Sequence, residues 1–295
     1  MNYEEFVRTM REEVEQLVRK DMRVEIRTTL KNNGKELVGL SIIDSKVNIT
    51  PAIYLEEFYD MYQEGDTIEK LGTMIEDIYN RVRCNHSIDV NQYSDYSQMQ
   101  CKVLCKLINA EKNKKLLEEV PYIPYLDFAI VFYILLDSDD HGISTMLVRN
   151  FQLENWGINK EALLQKGIEN GKYLIPEKFQ EMKEVIGELV NHISDDSEQE
   201  CLAPMYVLSN PMRSLGAATI LYDNVLNDIG EKLGENYYML PSSIHEWIIM
   251  AESMSPTKQE LTEMIQEINM TQVAEEEVLA DHPYYYDRIK ETLLY

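Results

Sequence analysis

The chain has 295 residues, enough for one large domain or two lobes with separate cores. Apolar residues make up 44% and charged residues 27%, as in a chain that folds, but 52 acidic against 28 basic side chains leave a formal net charge of −24. Such a surface repels phosphate backbones and anionic lipid, which argues against direct nucleic-acid and membrane binding. It leaves a charge that keeps the chain soluble, an acidic face for a basic protein partner, or a carboxylate mimic of DNA.

Residues 2–13 (NYEEFVRTMREE) lack the basic start and apolar stretch of an export signal. The longest apolar run, Phe128 to Leu136, has nine residues, whereas a spanning helix needs about 20. A cytoplasmic setting is expected. Cys84, Cys101, Cys105 and Cys201 form no CxxC and should be reduced thiols. On a helix Cys101 and Cys105 would share a face as a weak metal pair, or act as small core residues.

In chain order, Asn2 caps a first helix, with Glu5 three residues on and Phe6, Met10, Val14, Leu17 and Val18 as its apolar stripe. Strands follow over Arg23–Lys31 and Lys35–Ile43, joined by Asn32-Asn33-Gly34, whose residues accept positive φ. A short helix from Glu56 stops at Gly65. The next is capped by Asp66 and carries Leu71, Met74, Ile75, Ile78 and Val82. Residues 84–96 are irregular, and Gln98 to Glu118 is expected to be helix. Phe128–Asp137 reads as a central strand, paired across Ser138–Gly142 with Ile143–Val148. Helices are expected over Asn150–Trp156 and from Asn159 to an end at Asn170-Gly171. Phe179–Ile193 fits helix or strand, and Ser194–Glu200 is an acidic loop expected to be disordered. Met205–Leu208 is a short strand. Asn210-Pro211 opens a helix closed by Gly234. Strands Tyr237–Leu240 and Ile244–Met250 flank Pro241-Ser242-Ser243. Ser255-Pro256 opens a last helix to about Met270, followed by the tail Tyr284-Tyr285-Tyr286-Asp287-Arg288.

NNGKELVGL, PAIYLEEFY, LINAEKNKKLLEEVPYIPYLDFAIVFYILL, PMYVLSNPMRSLGAATILYDNVL, YYMLPSSIHEWIIM and DHPYYYDR together resemble domain-of-unknown-function family 5688, an uncharacterised bacterial family, over roughly Tyr3 to Arg288. Residues 120–250 are more faintly similar to the YtpQ-like uncharacterised proteins, from which the SSIHE segment departs. Neither resemblance implies an activity. Both imply a cytoplasmic α+β protein.

Several constellations are candidates for chemistry. Asp137, Asp139, Asp140 and His141 crowd one loop and suit a metal ion, without the calcium-loop spacing; a solvated turn has the same composition. His245 and Glu246, with Ser242 and Ser243 before them, suggest nucleophilic catalysis, yet no GxSxG elbow accompanies them. Placed on one strand, His245 and Glu246 would face opposite sides. Asp281 and His282 suit a proton-transfer pair or a simple turn. The 19 tyrosines suit either a partner-binding surface or half-buried edges. Asn150, Trp156 and Asn170 are expected to lie beyond the central strands, the asparagines as caps. Lys112, Lys114 and Lys115 beside Glu111 form a helix face. GxGxxG, GxxxxGK[ST] and HExxH are absent, so no cofactor is expected, and no metal beyond the Asp137–His141 candidates.

The expected fold is therefore α+β: a mixed or antiparallel sheet flanked by helices, in two lobes. Residues 1–115 hold the N-terminal helix, the hairpin and further helices. Residues 116–295 hold a strand-rich lobe with the C-terminal helix and tyrosine tail. The functional expectation is a non-catalytic interaction protein with an acidic surface and a protein partner. The alternatives are a hydrolase with a pocket near His245 or the Asp137–His141 loop, and a DNA mimic.

Overall fold

The computed structural model describes residues 1–48, 50–83, 94–139, 142–189 and 204–295, the side chains of 137–144 and 189 excepted. The chain divides into two compact units, Met1–Gln92 and Tyr93–Tyr295. Every strand pairing among the described residues is antiparallel, and the fold is α+β.

The first unit opens with α1 (Tyr3–Leu17), whose N-cap Asn2 and Glu5 form a reciprocal capping box. β1 (Met22–Leu30) and β2 (Glu36–Asp44) form the expected hairpin, with Asn33 at φ 60 and Gly34 at φ 73 in the turn. β3 (Ile53–Tyr54) adds to β2, and α2 (Glu56–Gln63) and α3 (Ile68–Val82) follow. Thr67, not Asp66, caps α3. Phe6, Met10 and Val14 of α1 pack with Leu40, Ile42, Leu71 and Ile75 in one core.

The second unit runs through α4 (Tyr96–Met99), β4 (Val103–Asn109), α5 (Lys114–Leu117), β5 (Tyr122–Tyr125), β6 (Phe128–Asp139), β7 (Gly142–Leu147), α6 (Asn150–Trp156) and α7 (Lys160–Leu174). It continues with β8 (Lys178–Glu181), α8 (Met182–Leu189), β9 (Met205–Ser209), α9 (Val225–Leu233), β10 (Tyr237–Ser243), β11 (Glu246–Ala251), α10 (Lys258–Thr271), β12 (Tyr284–Asp287) and β13 (Thr292–Leu294). In one sheet β6 pairs with β4 on one side and with β5 then β7 on the other. The second sheet has the order β13-β12-β10-β11-β9-β8.

Both faces of β6 are covered, which explains its unbroken apolar run. Phe128, Ile130, Phe132 and Ile134 join the main core, while Ala129 and Val131 pack with Leu116 and Val120. In the other sheet Tyr237, Met239, Trp247 and Ile249 face that same main core, and Leu240 and Met250 face α10.

Three segments differ from the sequence reading. Gln98–Glu118 is not one helix, because Val103 to Ile108 are buried on both sides as strand β4. A short apolar run has no periodicity to separate a doubly buried strand from a helix. Asn210-Pro211 opens a turn, followed by a short 3-10 segment at Gly216–Leu221 and only then α9. Asn170-Gly171 is not a helix end but the interior of α7. Asn170 Nδ2 donates to the carbonyls of Gln100 at 2.7 Å and Val103 at 2.9 Å, holding α7 to the start of β4. Gly167 and Gly171 let α7 approach closely, since a β-carbon would overlap Cys105 at the first and the Tyr222 ring at the second.

Glycine inside an exposed helix costs about 1 kcal/mol against alanine, so Gly→Ala is normally stabilising there. At Gly171 the sign should invert. Gly171→Ala is expected to lower the urea midpoint, with a loss of about 1–3 kcal/mol from overpacking. Asn170→Ala is expected to cost about 1–3 kcal/mol by orphaning two carbonyls. A Gly171→Ala protein more stable than the parent would contradict this packing.

Candidate functional site

His245 is not on a strand, as expected, but in the tight turn between β10 and β11. The loop before α9 folds against it. Asn210 shapes this loop: its Oδ1 accepts from Met212 N at 3.0 Å and its Nδ2 donates to Ser214 O at 2.7 Å. Arg213 and Leu215 both take left-handed backbone, at φ 47 and φ 57. Each such non-glycine residue costs about 1–2 kcal/mol and persists only where its surroundings fix it.

What fixes Leu215 is His245. The ring Nδ1 accepts the Leu215 N–H at 3.1 Å. Nδ1 is therefore the unprotonated nitrogen, and Nε2 carries the proton that faces Glu277 Oε1 at 3.3 Å. The turn is clamped further by Ser209 Oγ, donating to His245 O at 2.8 Å, and by Ile244 N, donating to Glu277 O at 2.8 Å. The buried Trp247 indole donates to Ala217 O at 2.9 Å.

The sequence candidates are thus neighbours with separate partners. Ser243 Oγ accepts from the backbone N–H of His245 at 3.0 Å, not from its ring. Ser242 Oγ donates to Glu246 at 3.4 Å. The acidic partner of His245 is Glu277, 32 residues away, in place of Glu246. A base that activates a serine needs a free imidazole lone pair. Here that lone pair already receives the Leu215 amide.

The second titratable cluster centres on Asp127 in the β5–β6 turn. Its Oδ2 faces His282 Nε2 at 3.1 Å, and its Oδ1 accepts from the Tyr284 hydroxyl at 2.5 Å. His282 Nδ1 faces Pro283 O at 3.4 Å. Both ring nitrogens therefore meet acceptors, an arrangement that the imidazolium form satisfies best. The Asp127 hydrogen bond raises the pKa of His282 against the opposing effect of burial. Burial works against ionising Asp127, but the bonds from His282 and Tyr284 outweigh it and hold its carboxyl below the usual range. Burial and then the Asp127 bond push the Tyr284 hydroxyl far up. The expected pairing of Asp281 with His282 is replaced: Asp281 instead meets Asn269 at 3.0 Å and Lys112 at 3.5 Å.

Cys101 is exposed and Cys105 buried, so they do not share a face, and burial pushes the Cys105 thiol up to about 12. Among the described residues no group of three or more His, Cys, Asp or Glu side chains is arranged to hold a metal ion. Asp140 and His141 lie outside the described residues, as do the side chains of Asp137 and Asp139. Ser194–Glu200 also lies outside them. The tyrosine triplet is strand, not tail. Tyr284 and Tyr286 point into the core and only Tyr285 is half-buried. Tyr173 and Tyr295 remain strongly exposed. Asn150 Nδ2 donates to Glu118 O at 3.0 Å, and the Trp156 ring lies 5.6 Å from that of Tyr96.

The apolar face of α10 is narrow. Only Leu261 and Ile265 are buried, while Met264, Ile268 and Met270 are exposed by 36%, 41% and 84% among Glu260, Glu263 and Glu267. No helix among the described residues is long and apolar enough to cross a membrane.

The Asp127–His282 pair has a defined pH window. Since the folded His282 pKa lies above 6.5, its contribution is complete below pH 6.5 and fades as pH rises through the raised value. Since the folded Asp127 pKa lies below 3.8, its contribution is complete above 3.8 and fades as pH falls through the lowered value. His282→Gln is therefore expected to lose about 1–2 kcal/mol near pH 6 and less at pH 9, read from urea midpoints across pH. An equal loss at both pH values would contradict an ionised pair.

No curated protein and no solved structure matches the chain. The family described as "Family of unknown function (DUF5688)" matches residues 3–288, and the chain belongs to that family.

Proposed function

We propose that this is a non-catalytic, cytoplasmic interaction protein whose acidic surface meets a basic protein partner. The observation that carries this reading is the state of the histidines. Each ring nitrogen of His245 and His282, the two histidines among the described residues, is engaged inside the chain. Ser243, the nearest hydroxyl, serves a backbone amide. Groups that have spent their donors and acceptors on folding have none left for a substrate. The hydrolase alternative near His245 therefore has weaker support.

The charge points the same way. A net −24 gives long-range attraction to a cationic partner and repulsion from nucleic acid and anionic lipid. A DNA mimic would need uninterrupted carboxylates. In the first unit cations break the rows: Arg11 pairs with Glu15, Arg23 and Arg27 flank Glu25, and Lys70 reaches Asp66.

Two measurements test this reading. The purified protein should show no turnover of chromogenic esters, phosphoesters, glycosides or peptides. A cross-linked partner recovered from the native host should carry a basic contact surface and dissociate when salt rises from about 50 to about 500 mM. Hydrolysis that disappears in His245→Ala, in protein that remains folded, would overturn the proposal.

A further inference from the structure

We infer that the solvent face of α10 is the docking surface, and that its occupant is a basic amphipathic segment of a partner protein. This rests on the partner-binding reading above and assigns it a place and a chemistry.

α10 is a well-started helix, with Thr257 and Glu260 forming a reciprocal capping box. Beyond that first turn its charges work against it. Glu263 and Glu267 are four residues apart, and a like-charged pair at that spacing costs about 0.2–0.5 kcal/mol. The last turn has no basic residue to meet the negative end of the helix dipole. Residues 258–277 contain six glutamates (260, 263, 267, 275, 276 and 277) and one lysine, Lys258. Among the described residues Glu260, Glu263 and Glu267 make no ion pair; Glu260 bonds Thr257, and Glu263 bonds Gln259.

Two apolar side chains share a flank with Glu260 and Glu267. Met264 lies four residues after Glu260 and three before Glu267, so the three project together, and Ile268 is one turn beyond Met264. Met264 and Ile268 stay exposed beside the buried Leu261 and Ile265, and Met270 is exposed on another side of the helix, although the uncovered part of a helix packed on a sheet would ordinarily be polar. Methionine is unbranched and polarizable and adapts to varied apolar partners. An acidic helix face that also exposes methionine and isoleucine therefore matches a segment with Lys or Arg spaced at one helical turn beside apolar residues.

Other occupants fit less well. A second copy would set glutamates against glutamates. An anionic bilayer prefers a helix whose polar face is Lys- and Arg-rich. Nucleic acid is repelled by the same carboxylates.

The test uses the full chain and a fluorescent synthetic helix of about 18 residues with leucine and lysine at heptad positions, alongside a scrambled peptide of equal composition. Fluorescence anisotropy should show binding that weakens at least about tenfold in Glu260→Gln/Glu263→Gln/Glu267→Gln and in Met264→Ser/Ile268→Ser. Binding should change less than about twofold in Glu4→Gln/Glu12→Gln/Glu15→Gln on α1. The scrambled peptide should bind at least about tenfold more weakly. Circular dichroism confirms that each variant is folded.

Four results would overturn the inference: no binding of the helical peptide; α10 variants that bind like the parent; an equal loss in the α1 variant, which marks unspecific charge attraction; or a dimer in sedimentation that Met264→Ser/Ile268→Ser dissolves. If the peptide binds but ignores the α10 variants, the site assignment fails and the partner-binding reading stands. Catalytic turnover would defeat that reading independently of the peptide result.

Discussion

The second unit depends on one buried demand, that of the Tyr284 hydroxyl. Its ring lies in the core, 5.1 Å from Phe128 and 5.5 Å from Trp247, and the residue is fully buried. A buried hydroxyl without an acceptor would cost about 1–3 kcal/mol. Asp127 supplies the acceptor, from a turn whose Leu126 takes left-handed backbone at φ 53. Once a carboxylate is placed there it needs a partner of its own, and His282, two residues before Tyr284, sets its ring Nε2 against it at 3.1 Å, which raises the histidine's pKa. The backbone agrees with this arrangement: Ala110 N donates to Asp127 O at 3.1 Å, and Asn109 Nδ2 donates to Leu279 O at 3.2 Å. The β5–β6 hairpin of one sheet is thus tied to the start of β12 in the other. Burying one aromatic ring with a polar tip fixes the position of an acid, a base and two strand ends.

The His245 turn follows the same logic with different atoms. Leu215 in left-handed backbone points its N–H where no strand can accept it. The imidazole accepts it instead, and Glu277 takes the remaining ring proton. Gly216 follows because a β-carbon there would overlap Ser209 and the His245 carbonyl. A serine, a histidine and a glutamate close together resemble catalytic machinery. Hydrogen-bond direction separates the two cases, since in this turn both ring nitrogens of His245 are engaged by the Leu215 amide and by Glu277.

Local rules made much of the fold legible. Asn2 with Glu5, Asn32-Asn33-Gly34 and Asn159 each carry their own instruction, and each forms the cap or turn expected. The misreadings share a cause: tertiary contact overrides local preference. Asn170-Gly171 has the composition of a helix end. Asn170 instead serves carbonyls 67 and 70 residues away, and Gly171 makes room for Tyr222. Val103–Ile108 has helical spacing only because every position but Lys106 is apolar, and Lys106 is itself buried. The candidate site was half legible. His245 and Ser243 were visible as a pair, but Glu277 and Leu215 join them only through the fold. Asp127 is 155 residues from His282, and no local pattern links them. One signal was available: Tyr284 and Tyr286 alternate with Tyr285, the period of a strand with one buried face.

Charge remains the feature that folding does not consume. Basic residues are too few to match 52 carboxylates, and those present pair mostly at exposed positions, where each pair is worth about 0–1 kcal/mol. The unmatched carboxylates therefore add self-repulsion without a structural return. On most of the surface water and salt screen this cost. On α10 it is set beside methionine and isoleucine side chains that the sheet does not cover, so a helix bearing two unfavourable exposures carries both on one face. Solubility alone accounts for glutamates and leaves the exposed methionines unexplained. Packing alone accounts for Leu261 and Ile265 and leaves the rest of the helix unexplained. A cationic amphipathic partner accounts for both, because it neutralises the carboxylates with the same contact that covers Met264 and Ile268.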